Sequence, residues 1–244
     1  LEVRCETRRA TSSPVEGVVG PDTDEEVLVT AHLDAHDVAE GARDNGVGTA
    51  VVAEVGRLLA AAAEADRLET RVRCVAFGAE EVGLRGARHW AREHELSDVR
   101  CVLNVDGAGF SRDLDVHTHG SADLTAAFDD AAADLDTPVP TVDDHRPHSD
   151  HWPFVYRGVP GAMIRTSHED RGRGWGHTHA DTLDKLDRRD LWAIAVVVAA
   201  TAVRAAEADR TVARLDPDAV RDDLVDAGLE TGLRAAGSWP FDDE

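Results

Sequence analysis

Glu26-Val-Leu-Val-Thr-Ala31-His32-Leu-Asp34-Ala-His-Asp-Val-Ala-Glu-Gly41-Ala-Arg-Asp44-Asn45-Gly-Val47 is the stretch from which the rest of the chain can be read. Val27 to Ala31 is an unbroken, β-branched-rich run, the pattern of a strand covered on both faces. A histidine and a carboxylate follow at once, and residues two apart in extended chain share a face. Gly41 to Gly46 has the composition of a turn. From Val47 to Ala63 the chain is rich in Ala, Leu and Val with interspersed charge, which predicts a helix. Strand, turn and helix in succession form the unit of an α/β protein.

The same unit recurs outward from this stretch. Arg71 to Phe77, Arg100 to Val105 and Ala162 to Arg165 read as buried strands, with Leu114 to Thr118 a weaker one. Leu84 to His94, Ala122 to Leu135 and Leu191 to Ala208 read as helices. The alternation predicts an α/β three-layer sandwich, a mostly parallel, mixed central sheet with helices on both faces. Such sheets place their sites at the carboxyl ends of the strands. At 244 residues one core is expected. Residues 1–208 form the body of the predicted domain and 209–244 a helical extension of it, with one helix-like stretch, Ala219 to Ala236, and no chemistry of its own.

Forty-eight acidic residues against 26 basic ones give a net charge of -22, which excludes nucleic acid as a partner on electrostatic grounds. The acids are spread through every predicted helix, and Lys185 is the only lysine. An even excess on a foldable chain suggests concentrated salt, where the screening length near 1 M is about 3 Å. The longest apolar run, near Ala193 to Ala200, is too short to span a bilayer, so no membrane insertion is predicted. The chain begins at Leu1 without a leader-like segment, consistent with an earlier piece having been removed, and localisation is not fixed by the start. A cytoplasmic protein is favoured over a secreted one. Cys5, Cys74 and Cys101 have no paired spacing and are predicted to be buried free thiols.

Each candidate site residue has an ordinary reading beside a chemical one. His32-x-Asp34 is either a satisfied structural histidine or a metal ligand with its orienting carboxylate. Asp44 and Asn45 precede a helix, where either makes an N-cap, yet a carboxylate can also bridge two cations. Glu80-Glu81 follows a strand and precedes a helix; acids there favour the helix dipole, or one serves a metal and the other a water as general base. Asp106 closes a third strand. His177-Thr-His179-Ala-Asp181-Thr182 lies in a glycine-rich loop after Gly172, Gly174 and Gly176. Imidazoles and carboxylates without thiolates suit zinc first, with cobalt or manganese possible.

With those five motifs in this order, the chain from about Val27 to Ala208 resembles the co-catalytic zinc aminopeptidase family, whose relatives include bacterial leucyl aminopeptidase, carboxypeptidase Q, glutamate carboxypeptidase and glutaminyl cyclase. The stretch His32 to Gly46 is most similar to the carboxypeptidase Q version. The resemblance implies a metal-dependent exopeptidase, most simply an aminopeptidase, acting on peptides with two divalent ions, Zn2+ by preference. It implies that His32 and Asp106 hold one ion, Glu81 and His177 the other, and that Asp44 bridges them. Glu80 would be general base and then acid, Asp34 the orienter of His32, and Asp181 a supporting partner near His177. Ser149-Asp150-His151-Trp152-Pro153-Phe154, with Gly158-Val159-Pro160, also follows a family pattern and suggests a pocket wall. His151 or Tyr156 is placed to polarise a carbonyl, although a structural hydrogen bond is the favoured reading. His36 and His179 depart from the pattern, and His145 and His148 have no assigned role. Two other readings stay open: glutaminyl cyclisation with one zinc, and a binding domain without activity. Oligomeric state is not legible.

Overall fold

The computed structural model describes residues 6, 8–166 and 174–242. Cys5 and Gly172, singled out from the sequence, lie outside them. Seven strands form one sheet in the order β1-β3-β2-β4-β7-β5-β6: β1 Val15–Val19, β2 Glu26–His32, β3 Arg71–Phe77, β4 Val99–Val105, β5 Leu114–His117, β6 Thr141–Val142 and β7 Gly161–Thr166. The central four, β3-β2-β4-β7, are mutually parallel. Antiparallel pairs flank them, β1 with β3 and β5 with β7. The mixed, mostly parallel sheet is as the sequence predicts.

Helices cover both faces. On one, α1 (Val47–Glu64) and α5 (Arg188–Ala205) pack onto β2 and β4 and α3 (Ala122–Leu135) packs against α5, sharing a core with Val51, Val55, Leu59, Phe128, Ile194 and Val198. On the other, α2 (Arg85–Glu93) and the short α4 (Trp152–Val155) bury Trp90 and Phe154 against Leu28, Val75, Phe77 and Val102. Because β2 is covered on both faces it needs no polar side, and its residues are buried throughout.

Two details differ from the sequence reading. The stretch Ala219 to Ala236 is two helices, α6 (Pro217–Asp226) and α7 (Glu230–Ala235), broken at Gly228, whose φ of 72° lies in the left-handed region that ends helices. These helices pack Val220, Leu224 and Leu233 against Trp152 and Val155 of the main body. The segment Ala42–Glu64, containing α1, has a mean hydropathy of 1.4 and is long and apolar enough to cross a membrane, unlike the run near Ala193 on which the sequence reading relied. Here it lies against the sheet. Cys74 and Cys101 are free, and burial pushes their thiols up to about 11 and about 12.

Candidate metal centre

Three parallel strands end at one crevice. β2 ends in His32, β4 hands over to Asp106, and the turn after β3 carries Glu80 and Glu81. The fourth contribution is the turn before α1. There Asn45, not Asp44, serves the helix: its Oδ1 accepts the Gly48 N–H at 2.9 Å and its Nδ2 donates to the Val105 carbonyl at 2.9 Å. Gly48 is required for this approach, since a Cβ would sit 2.3 Å from Asn45 Oδ1 and 2.4 Å from the Val105 oxygen. Asp44 is thereby left with both oxygens facing the crevice.

Those oxygens point to different imidazoles. His32 Nε2 lies 3.2 Å from Asp44 Oδ1 and 3.5 Å from Asp106 Oδ1. His177 Nε2 lies 3.2 Å from Asp44 Oδ2 and 3.3 Å from Glu81 Oε2. His179, in the same loop, is exposed. The structure therefore brings His32, Asp44, Glu80, Glu81, Asp106 and His177 to one crevice.

Asp34 is there too, beside the His32 ring and bonded beyond it. His32 Nδ1 donates to the Asp34 main-chain oxygen at 3.0 Å, while the carboxylate stands 3.7 Å from that ring. The Asp34 carboxylate instead accepts the N–H groups of Glu80 (3.0 Å) and Glu81 (3.2 Å), fixing the turn that presents both glutamates. A side chain two residues on reaches past its neighbour because β2 has ended and the backbone turns away. Asp181 works similarly: its two oxygens accept the N–H groups of Arg43 and Asp44, at 2.8 and 3.0 Å.

The polar interior of β2 and β4 supports the site from below. Thr30 Oγ1 donates to Asn104 Oδ1 (2.7 Å), Asn104 Nδ2 to Ser149 Oγ (2.7 Å), and Ser149 Oγ to Asp106 Oδ2 (2.5 Å), all four side chains being buried. Polar residues inside an otherwise apolar strand were the sequence signal for this chain of bonds. The cavity, about 420 Å³, is lined by the acids and by Arg43, Arg88, Arg146, Arg165 and His148, none of them assigned from sequence. Ser238, in the extension read as chemically silent, also lines it. His151 and Tyr156 do not. His151 is fully buried, its Nε2 3.0 Å from His119 Nε2 and 2.9 Å from the Arg146 oxygen, and Tyr156 packs between Trp152 and Phe241. His145 pairs with Asp223.

The electrostatics describe a site short of positive charge. Burial raises the proton affinity of Glu80, and Asp106 adds to it. Glu81 is raised by burial and by Asp44. Asp150, fully buried and with neither oxygen partnered, is pushed by burial up to about 8. Burial opposes a charge on His32, but the carboxylates of Asp106, Asp34 and Asp44 outweigh it and hold its proton far above the usual range. A proton stands where a cation would compensate the same acids.

The donor atoms of His32, Asp44 and Glu81 lie within 4.8 Å of one another, as do those of His36, Glu81 and His177. A tetrahedral zinc site with bonds of about 2.0–2.1 Å has edges of about 3.3–3.4 Å, close to the separations above. Glu81 Oε1 is buried without a hydrogen-bond partner, as a carboxylate shaped for a cation would be. The donor set fits divalent metal.

Fold and site define a class: α/β proteins that gather imidazoles and carboxylates at the strand ends of a mixed sheet. Within it, this chain belongs to Peptidase family M28, whose family model matches residues 15–202. It is 27% identical over 197 residues to aminopeptidase YwaD of Bacillus subtilis, covering 75% of this chain and 42% of that protein. It is 29% identical to mouse carboxypeptidase Q, covering 78% and 40%. The solved structure of a zinc aminopeptidase from Bacillus subtilis superposes with a TM-score of 0.70 at 25% identity, covering 84% of this chain and 53% of that one. The chain thus spans about half, or less, of the length of these relatives.

Proposed function

We propose that this chain is the catalytic unit of a zinc-dependent exopeptidase, most simply an aminopeptidase, that hydrolyses peptides with two divalent ions. One ion would be held by His32 and Asp106, the other by Glu81 and His177, with Asp44 shared. The observation that carries this reading is the division of Asp44, one oxygen 3.2 Å from His32 and the other 3.2 Å from His177. When bound, such ions polarise a carbonyl and lower the pKa of a water. Glu80 takes the water's proton and returns it to the departing amine, a task for which its raised proton affinity suits it better than an ordinary carboxylate. Asp34 keeps Glu80 in place through its N–H, Ser149 fixes Asp106, and Asp181 fixes Asp44. No side chain is required as a nucleophile. The relatives named aminopeptidases support the choice among exopeptidases.

The test is metal analysis combined with a panel of aminoacyl anilides and their N-blocked counterparts. Two equivalents of zinc and hydrolysis confined to substrates with a free amine are expected. Ring closure of N-terminal glutamine with a single zinc would overturn the proposal, as would equal hydrolysis of blocked peptides. The even spread of acidic residues supports a high-salt setting for the protein.

A further inference from the structure

His36 is not among the residues that the metal reading uses, yet its Nε2 lies 3.0 Å from Glu81 Oε2, the oxygen that faces His177. Its ring packs beside that of His177, centroids 4.1 Å apart at 46°, so two imidazoles converge on one carboxylate oxygen at the cavity wall. Two features set this apart from an ordinary surface ion pair. One ring nitrogen each of His36 and His177 and one Glu81 carboxylate oxygen lie within 4.8 Å of one another, and Asp44 Oδ2 lies 3.2 Å from His177 Nε2. The other Glu81 oxygen is buried and unpartnered, so a neighbouring imidazole alone leaves that carboxylate incompletely satisfied.

We propose that His36 is a ligand of the ion shared by Glu81, His177 and Asp44, making it a four-donor site of two imidazoles and two carboxylates. The proposal rests on the two-metal reading above. Four protein donors complete the tetrahedral shell usual for a structural zinc, whereas a catalytic zinc keeps a position open. The two sites would then be unequal: the one at His36 would have four protein donors, and the position for water or substrate would fall to the one at His32 and Asp106.

Zinc-edge X-ray absorption on the loaded wild-type chain counts imidazoles directly, and chelator competition gives the affinity of each site for zinc. Two ions sharing three imidazoles are expected. His36→Ala should lower the count to two and weaken one site by more than about 100-fold, beyond the 10–100-fold typical of residues that only orient a ligand. His36→Asp, which keeps a donor there, should stay within about tenfold of wild type. A wild-type chain with two ions but only two imidazoles, or a His36→Ala variant that keeps wild-type affinity at both sites, overturns the assignment and leaves the two-metal reading intact. A wild-type chain that takes up a single zinc overturns both. The wild-type imidazole count decides the matter even if a variant fails to fold.

Discussion

The amino and carboxyl ends of the same parallel strands treat acidic residues in opposite ways. At the amino ends, buried Glu26 of β2 lies 3.0 Å from both Arg71 Nε and Arg73 Nε of β3, and Glu25 lies 2.7 Å from Arg100 on β4. Both of these glutamates have a guanidinium partner. At the carboxyl ends, Asp34, Asp44, Glu81 and Asp106 meet imidazoles, backbone N–H groups or a hydroxyl, Asp150 has neither oxygen hydrogen-bonded, and Arg43 donates to the Gly107 carbonyl and lies over the Phe110 ring. Arg43, Arg88, Arg146 and Arg165 line the cavity there, yet Glu80, Glu81 and Asp150 keep raised proton affinities. One end is paired as folded; the other holds acids that, on the function proposed above, a cation would complete.

The sharpest way to break this contrast is Glu80→Gln, which removes the proton carrier without removing a proposed ligand. Turnover should fall about 10³–10⁴-fold with zinc content unchanged; a variant within tenfold of wild type would remove Glu80 from the mechanism.

Stripping the metal comes next. Zinc at 100 times its dissociation constant should stabilise the fold by about 2.7 kcal/mol per site, read as a rise in melting temperature. The metal-free protein should also respond to pH. Glu80, Glu81 and Asp150 hold protons more tightly folded than unfolded, so stability is greatest while they are protonated and falls as pH rises from about 4 through about 8. Asp34 and Asp106, lowered because the His32 contacts outweigh burial, act in the opposite sense and only at lower pH. Zinc should abolish the neutral-range decline, because the ion replaces the protons; melting curves of the metal-free protein that do not move between pH 5 and pH 8 would contradict the picture of uncompensated acids.

Ser149→Ala tests the support rather than the ligands. Its removal should weaken zinc binding 10–100-fold, measured by competition with a chelator, with unfolding stability lowered by about 1 kcal/mol. Glu26→Gln provides the control at the other end: about 1–2 kcal/mol of stability lost, discounted because both arginines are partly exposed, and zinc affinity untouched. A change in zinc affinity there would mean the two ends are not independent. Smallest is the general effect of salt, where unfolding should be harder at about 1 M than at low ionic strength; equal stability in both would remove the high-salt reading.

Much of this was legible from residue order, for physical reasons. β2, β3 and β4 are apolar because both their faces are covered, and His32, Glu80, Glu81 and Asp106 stand out because they interrupt that pattern at strand ends. β1 was not legible: an edge strand with Gly17 at its centre and mostly exposed residues gives neither alternation nor an apolar run. β6, two residues long, gives no pattern at all. Asp34 illustrates the limit of local reasoning, since spacing suggested a partner two residues away while the carboxylate reaches a turn 46 residues on. His36 had no periodic or motif signal, because its contact with Glu81 exists only once two loops meet.

The bonds running from Thr30 to Asp106 are wired in one direction. The Asp106 carboxylate can only accept, so Ser149 gives it its hydrogen and takes one from the Asn104 NH2, which turns the Asn104 carbonyl toward the Thr30 hydroxyl that donates to it. Reversing any link would set lone pair against lone pair. A single methyl-for-hydroxyl exchange in the middle of β2, Thr30→Val, therefore takes away the donor at the far end and leaves the buried Asn104 carbonyl unanswered, three side chains from the carboxylate that sets the direction.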